Sequence, residues 1–400
     1  MEFILKVFFT NISSTGHVVP TMGLVQELVR ANVEVVYLEL EAHRQELEAA
    51  GARFRAIGEF APYQGPITKT NAALPAVLAH CALEGVGMVI DAITAEQPDV
   101  VIHDGLCLWG RLAADLVGVP RISSIASAAL SRRILSEEPI VRRWLGDETA
   151  LRPVRDFVDT CFQSLQAHYG CAPEDMYGPV LNTAPSNLVY LTRSLQPYAS
   201  EFGEDYLFCG SSHRVQQARQ EFDWSQIAGR RLVYMSFGTA HDPGSVFYAQ
   251  VAQAMHDLDA VLVTVATPSM TAGLPITWPK GTVVCPLGSA PQVDLLERAD
   301  LFISHVGGGA VREAAWTATP VLALPQTFEQ DLLTQRLVEH GVARRLSDQP
   351  MLEEIAENIR SMLEDDQLRT CAVQLSAQQR RITSRRDAVA TILGAKCVCD

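Results

Sequence analysis

The chain has 400 residues, 48% of them hydrophobic and 20% charged, with a formal net charge of −14. That length exceeds one ordinary core and predicts two domains. The acidic balance argues against a nucleic-acid partner, whose phosphates would be repelled. Nine cysteines, an odd number without CxxC or zinc-ribbon spacing, read as reduced thiols in a cytoplasmic protein. Cys397 and Cys399 are two ligands at a chain end, too few for a metal site. No uninterrupted apolar run reaches the roughly 20 residues that span a bilayer. Met1–Phe9 lacks the basic region and cleavage site of a secretory signal and reads as a buried strand.

In chain order, a strand over Phe3–Asn11 is followed by a Ser-Ser-Thr-Gly loop and a helix over Pro20–Ala31, with Pro20 at its first turn. Strands follow at Val33–Leu38, Phe54–Ile57, Val100–His103 and Arg121–Ser124, with a helix over Arg111–Val117. This alternation predicts a parallel sheet covered on both faces, with ligands beyond the carboxyl ends of its strands. Residues 125–186 break the rhythm, include a helix over Val154–His168, and have the character of a substrate-binding insertion before a strand at Leu188–Thr192. The polar stretch Arg193–Gly229 reads as a linker. A second alternating half runs through Leu232–Phe237, Val261–Ala266, Thr282–Cys285, Leu301–Ser304 and Val321–Leu324, and ends in helices over Leu352–Leu393. The predicted class is α/β, with two Rossmann-like domains facing across a cleft. The domains are 1–208 and 209–375 (209–229 as linker), and a helix in 376–400 packs back on the first.

Three places along this frame carry chemistry. His17, in Gly16-His17-Val18-Val19-Pro20, lies at the carboxyl edge of the first sheet, where an imidazole can accept a hydroxyl proton near neutral pH. Asp104, at the end of the strand before it, is the carboxylate best placed to support that imidazole, or else it caps the following turn; the residues leave both readings open. His103 reads as a satisfied, semi-buried side chain. In Ser236-Phe237-Gly238-Thr239, Gly238 permits close approach to a phosphate and Thr239 offers a hydroxyl.

The third place is His305–Gln330, a strand, a glycine turn and a helix in sequence. That order aims unpaired N–H groups and the positive end of a helix dipole at one spot, which suits phosphate. An amide nest over Gly307–Gly309 with His305 donating to a diphosphate is the expected arrangement. Glu313 suits ribose hydroxyls, and the acidic-amide pair Glu329-Gln330 suits sugar hydroxyls. Asp257-Leu258-Asp259 matches a metal-binding DxD, but its place between a helix and a strand reads as a charged turn, so no metal is assigned.

These motifs give the chain a resemblance. GHVVPTMGLVQEL (16–28), PDVVIHD (98–104) and PQVDLLERADLFISHVGGGAVREA through FEQ (291–330) together resemble the inverting GT-B glycosyltransferases of family one. That group includes bacterial macrolide and other natural-product glycosyltransferases and plant secondary-product UDP-glycosyltransferases. The resemblance implies His17 as general base with Asp104 in support. It implies donor contacts at Gly238, Thr239, Gln292, His305, Gly307, Gly309, Ala310, Glu313, Glu329 and Gln330. It implies a metal-independent reaction with no permanently bound cofactor, the co-substrate being a nucleotide sugar, UDP-glucose first and a TDP-sugar second. A hydrophobic natural-product acceptor follows from the same analogy and from the apolar character of 72–93 and 125–170, with Ile12, Ser13, Met88 and Trp109 as candidate contacts. The expected assembly is a monomer or homodimer.

The chain departs from the family pattern at Ala310-Val311, where a phosphate-facing hydroxyl usually stands, and at Ser289, where an aromatic commonly stacks on uracil. It also has Val19 where an asparagine often precedes the proline. A catalytically silent homologue that activates a partner is the rival reading. A nicotinamide-dependent enzyme is disfavoured because no GxGxxG follows the first strand.

Overall fold

The computed structural model describes residues 5–65, 71–210, 222–239, 241–272, 275–381 and 385–394. Met1–Ile4 of the expected first strand, residues 211–221 of the expected linker and the Cys397–Cys399 pair lie outside them. The chain divides into two compact units, Met1–Val215 with Thr383–Asp400, and Gln216–Ile382.

The first unit runs β1 (Leu5–Thr10), α1 (Thr15–Val18), α2 (Met22–Arg30), β2 (Val33–Glu39), α3 (Arg44–Ala49), β3 (Arg53–Ala56) and α4 (Leu74–Glu96). It continues through β4 (Val100–Asp104), α5 (Leu108–Val117), β5 (Arg121–Ile125), α6 (Arg132–Glu137), α7 (Pro139–Leu145), α8 (Glu148–Tyr169), β6 (Asn187–Val189) and β7 (Tyr206–Phe208). Its parallel strands lie in the order β3-β2-β1-β4-β5-β6-β7. Successive connections reverse direction between β1 and β4, which opens the sheet's switch point there. β1 and β2 are buried almost throughout, as strands covered on both faces should be.

The second unit runs β8 (Arg231–Ser236), α9 (Ser245–Ala254), β9 (Ala260–Val265), β10 (Val283–Cys285), α10 (Gln292–Leu296) and β11 (Leu301–Ser304). It ends with α11 (Gly308–Thr317), β12 (Val321–Ala323), α12 (Phe328–Glu339), β13 (Ala343–Arg345), α13 (Leu352–Leu363) and α14 (Asp366–Arg380). The strand order β10-β9-β8-β11-β12-β13, again parallel, puts the switch point between β8 and β11. Each sheet carries a stacked aromatic pair across neighbouring strands, Phe9 on Tyr37 and Tyr234 on Phe302. α15 (Arg385–Gly394) returns to the first unit, where Ala388 and Ile392 join a core containing Leu24, Leu28 and Val35.

Several boundaries differ from the sequence reading. β7 and the turns before it belong to the first sheet, so Arg193–Gly210 is part of that unit and not linker. Arg193 ties this stretch down by donating to the carbonyls of Ala199 and Phe202. The return to the first unit begins at Thr383 and not at residue 376, because α14 stays on the second, with Ser376 Oγ donating to the carbonyl of Trp316. α4 is long and apolar enough to cross a membrane by length and composition. Its apolar character has a local cause: Leu78, Ala82, Val86, Val89 and Ile93 are buried, and the helix packs on α5 and α8.

Candidate active site

In the first unit the turn after β1 is helical from Thr15, so His17 sits on α1 and not in an open loop. The N–H groups of His17 and Val18 both donate to the Ser14 carbonyl, and Asn11 Nδ2 donates to the His17 carbonyl at 3.1 Å. β4 delivers Asp104, 1% exposed, to the same edge. His17 Nδ1 lies 2.8 Å from Asp104 Oδ2, and Asp104 Oδ1 accepts the Leu106 N–H at 2.8 Å. Asp104 therefore does both things the sequence left open: it caps the turn and it partners His17. A carboxylate that accepts at Oδ2 fixes the proton on Nδ1 and leaves Nε2 as the basic nitrogen.

Glu39, at the end of β2, belongs to the same edge. It is fully buried, accepts from Ser13 Oγ and from the Leu40 N–H, and burial raises its pKa. Of the candidate acceptor contacts, Ser13 is exposed and spent on Glu39, and Ile12 beside it is half-buried. Trp109 and Met88 flank the segment 58–60. Phe60 packs edge-on against Trp109 at 5.3 Å between ring centroids, and a Cβ at Gly58 would stand 3.0 Å from Met88 Sδ. Phe60 fills the space left by Gly85, where a Cβ would lie 2.9 Å from its ring. His103 differs from its expected semi-buried, satisfied state. It is fully buried, its Nε2 has no hydrogen-bond partner among the described residues, and burial holds its pKa down to about 3.

In the second unit, Ser236 and Ser304 are the paired last residues of β8 and β11. Each hydroxyl accepts the N–H two residues on, Gly238 at 3.4 Å and Val306 at 3.2 Å. Both of those residues then take the left-handed conformation, with φ of 67° at Gly238 and 64° at Val306. The first is easy for glycine. The second strains a β-branched side chain, at a cost of order 1–3 kcal/mol.

The expected glycine nest is thus replaced. The left-handed residue is Val306, Gly307 is the extended N-cap of α11, and Gly308 and Gly309 are already helical. Among the described residues no side chain caps this helix, so the N–H groups of Gly308, Gly309 and Ala310 point outward without intrahelical acceptors. The glycines serve a different need, which is room for His305. A Cβ at Gly307 would lie 2.7 Å from His305 Nε2, and one at Gly238 would lie 3.1 Å from its Cε1. His305 itself is 9% exposed, and its Nδ1 has no partner among the described residues. Burial, with His241 alongside, lowers its pKa to about 3, so it is a neutral ring at physiological pH. Thr239, next along, is exposed.

Further along the same edge, Gln292 Nε2 donates to Glu313 Oε2, and Tyr234 Oη donates to Gln292 Oε1 at 3.1 Å. Burial raises the Glu313 pKa against the opposing effects of Gln292 and Arg312. On α12, Thr327 is the N-cap and accepts the Gln330 N–H. Gln330 Oε1 accepts the Gln326 N–H at 2.7 Å, a variant of the reciprocal capping box. Gln330 Nε2 lies 2.8 Å from Nε2 of His241. Glu329 is half-buried beside it. Asp257 and Asp259 lie in the turn between α9 and β9, as a charged turn requires.

A profile of the glycosyltransferase family 28 C-terminal domain matches residues 290–387, which hold Gln292, His305, Glu313, Glu329 and Gln330. The uncharacterized UDP-glucosyltransferase YdhE of Bacillus subtilis (strain 168) is 26% identical over 367 residues, covering 90% of this chain and 91% of that protein. The chain is a glycosyltransferase with the GT-B fold. The oleandomycin glycosyltransferase of Streptomyces antibioticus is 26% identical to it over 370 residues, 89% of this chain and 82% of the relative. The crystal structure of the glycosyltransferase of kitacinnamycin superposes with a TM-score of 0.80 at 21% identity, over 98% of this chain and 99% of the other.

Within this glycosyltransferase, sequence reasoning passed over His241, Tyr234, Arg312, Glu39 and Phe60. Tyr234 sits inside an apolar strand and reads as core, which it also is. Arg312 reads as a solvated helix charge, yet it is 7% exposed. His241 had one available signal: it is an imidazole in the loop beyond β8, on the ligand edge.

Proposed function

We propose that the protein is an inverting transferase that moves a sugar from a nucleotide-sugar donor to a hydroxyl of a hydrophobic small-molecule natural product. The Glu329-Gln330 pair makes glucose on UDP the first donor, with a TDP-sugar second, and Ser289 offers no ring whose stacking would select the base. The observation that carries this reading is the hydrogen bond of 2.8 Å between His17 and Asp104 at the switch point of the first sheet. In the proposed reaction His17 Nε2 takes the acceptor hydroxyl proton, and Asp104 stabilises the imidazolium. The acceptor oxygen bonds to C1 of the sugar as the C1–O bond to the diphosphate breaks, and the anomeric configuration inverts.

The first unit supplies the base and the acceptor contacts, and the second supplies the donor site. The departing diphosphate is met by the N–H groups of Gly308, Gly309 and Ala310, the α11 dipole and His305. Gly238 and Thr239 line the same turn, Glu313 and Gln292 serve the nucleoside, and Glu329 and Gln330 hold the sugar. Loss of hydroxyls at Ala310 and Val311 removes a hydrogen bond to charge worth about 1.5–3 kcal/mol, which weakens donor binding without abolishing it.

Mass spectrometry of a donor-by-acceptor panel tests the reading, and the expected product is a β-glycoside formed from an α-linked donor. The rival, a silent homologue that activates a partner, draws on those lost hydroxyls. It predicts no rise in melting temperature with UDP- or TDP-sugars at millimolar concentration, whereas the transferase reading predicts a rise.

A further inference from the structure

The Gln330 carboxamide is held at both ends within the protein. Its oxygen accepts the Gln326 N–H at 2.7 Å, which fixes which end of the amide is which. Its NH2 group therefore faces His241 Nε2, 2.8 Å away, and must be the donor. His241 accordingly accepts on Nε2 and carries its proton on Nδ1. A carboxamide has two N–H donors and two lone pairs. With one of each committed, Gln330 is left with one N–H and one lone pair in a set orientation. The His241 ring is itself braced, its centroid 4.8 Å from that of His305. One half-buried loop residue thus joins the phosphate-side histidine to the sugar-side amide.

We propose that His241 is a positioning residue for donor-sugar selection: by accepting from Gln330 it presets the one N–H and one lone pair that Gln330 offers to the sugar. This rests on the reading of Gln330 as a sugar contact. The competing role is direct: lying against His305, His241 would be a ligand of the diphosphate. The two roles separate experimentally, because free UDP or TDP has the diphosphate and lacks the sugar.

The test uses the full chain and three variants, with UDP or TDP chosen by whichever glucose donor the unchanged protein uses. H241F keeps a ring against His305 and removes the acceptor nitrogen. H241Q places a carbonyl oxygen near the lost Nε2 position, and H241A removes both. The expected result for H241F and H241A is a KM for the glucose donor about 10-fold higher, as for one lost hydrogen bond. Preference for the glucose over the galactose donor should shrink by a similar factor. The Kd for the free nucleoside diphosphate should stay within about twofold, and H241Q should restore both KM and preference.

Equal loss of diphosphate affinity and donor KM would overturn the proposal and make His241 a phosphate ligand. Unaltered KM and preference in H241F, or failure of H241Q to restore them, would also overturn it. If the unchanged protein is neither stabilised by nor takes sugar from any UDP- or TDP-sugar, the donor-site reading fails first, and that failure is visible without any variant.

Discussion

A histidine stands at the switch point of each sheet, and their neighbours give the two opposite characters. His17 follows β1 and meets a carboxylate delivered by β4, with 22% of its side chain exposed. His305 follows β11 and meets a glycine, a phenylalanine and a second histidine beyond β8, with no carboxylate bonded to it among the described residues. The first arrangement stabilises a proton arriving on the ring, as a general base needs. The second disfavours one: burial in company with His241 holds His305 neutral, with a pKa of about 3. A neutral ring still hydrogen-bonds an anion. In the proposed reaction the charge on the leaving diphosphate is then met by the first-turn amides and the dipole of α11. In the proposed reaction the same side chain at equivalent edges serves as a base in one unit and as a polar wall in the other.

The comparison breaks most visibly at His17. H17A is expected to lower kcat for transfer by about 10²- to 10⁴-fold, the range for a lost general base, while donor Kd stays within about twofold. Parallel loss of donor binding, measured by calorimetry, would sink the assignment. D104N should cost a comparable amount, up to about 10⁴-fold in kcat, because the amide donates to Nδ1 and favours the wrong tautomer. Retention of full kcat would make Asp104 a turn cap only.

Acid sharpens the contrast from the other side. His103 and His305 titrate near 6.5 in the unfolded chain and near 3 in the folded one. Between those values the unfolded state binds more protons, so stability is fully present above pH 6.5 and is lost as pH falls below it. At pH 5 each site is expected to cost about 2 kcal/mol relative to pH 8. An NMR titration should find both rings still neutral at pH 5, and a midpoint near 6 for either would contradict the neutral-wall description.

G307A tests whether the glycine exists for the ring. Its φ of −70° suits alanine, so the only conflict is the Cβ placed 2.7 Å from His305 Nε2. The expected outcome is about a 10-fold weaker Kd for UDP or TDP, equivalent to one lost hydrogen bond, with melting temperature nearly unchanged. Wild-type affinity would mean the ring shifts without consequence. The smallest expected effect is that of a chelator: millimolar EDTA should leave the rate unaltered. Strong inhibition would return attention to Asp257 and Asp259.

Much of this molecule is determined locally. Alternating apolar strands and amphipathic helices specify two doubly wound sheets, because burial on both faces requires that pattern. The same rule puts His17, Asp104 and His305 at carboxyl edges before any coordinates are seen. The helical start at Thr15, the inclusion of β7 and the folding of the apolar stretch 72–93 into one long helix were not legible, since each depends on what packs beside it.

The details of the site were decided only in three dimensions. A sequence with three glycines after His305 suggests a flexible nest, but the chain turns left-handed at Val306 and uses Gly307 to seat a ring. His241 and Gln330 are 89 positions apart, and their hydrogen bond exists because β8 and α12 bring their loops to one edge of the second unit. Spacing along a chain reports which face or edge a residue occupies. Which lone pair meets which proton is a matter of distances near 3 Å, and those are set by the packed tertiary structure.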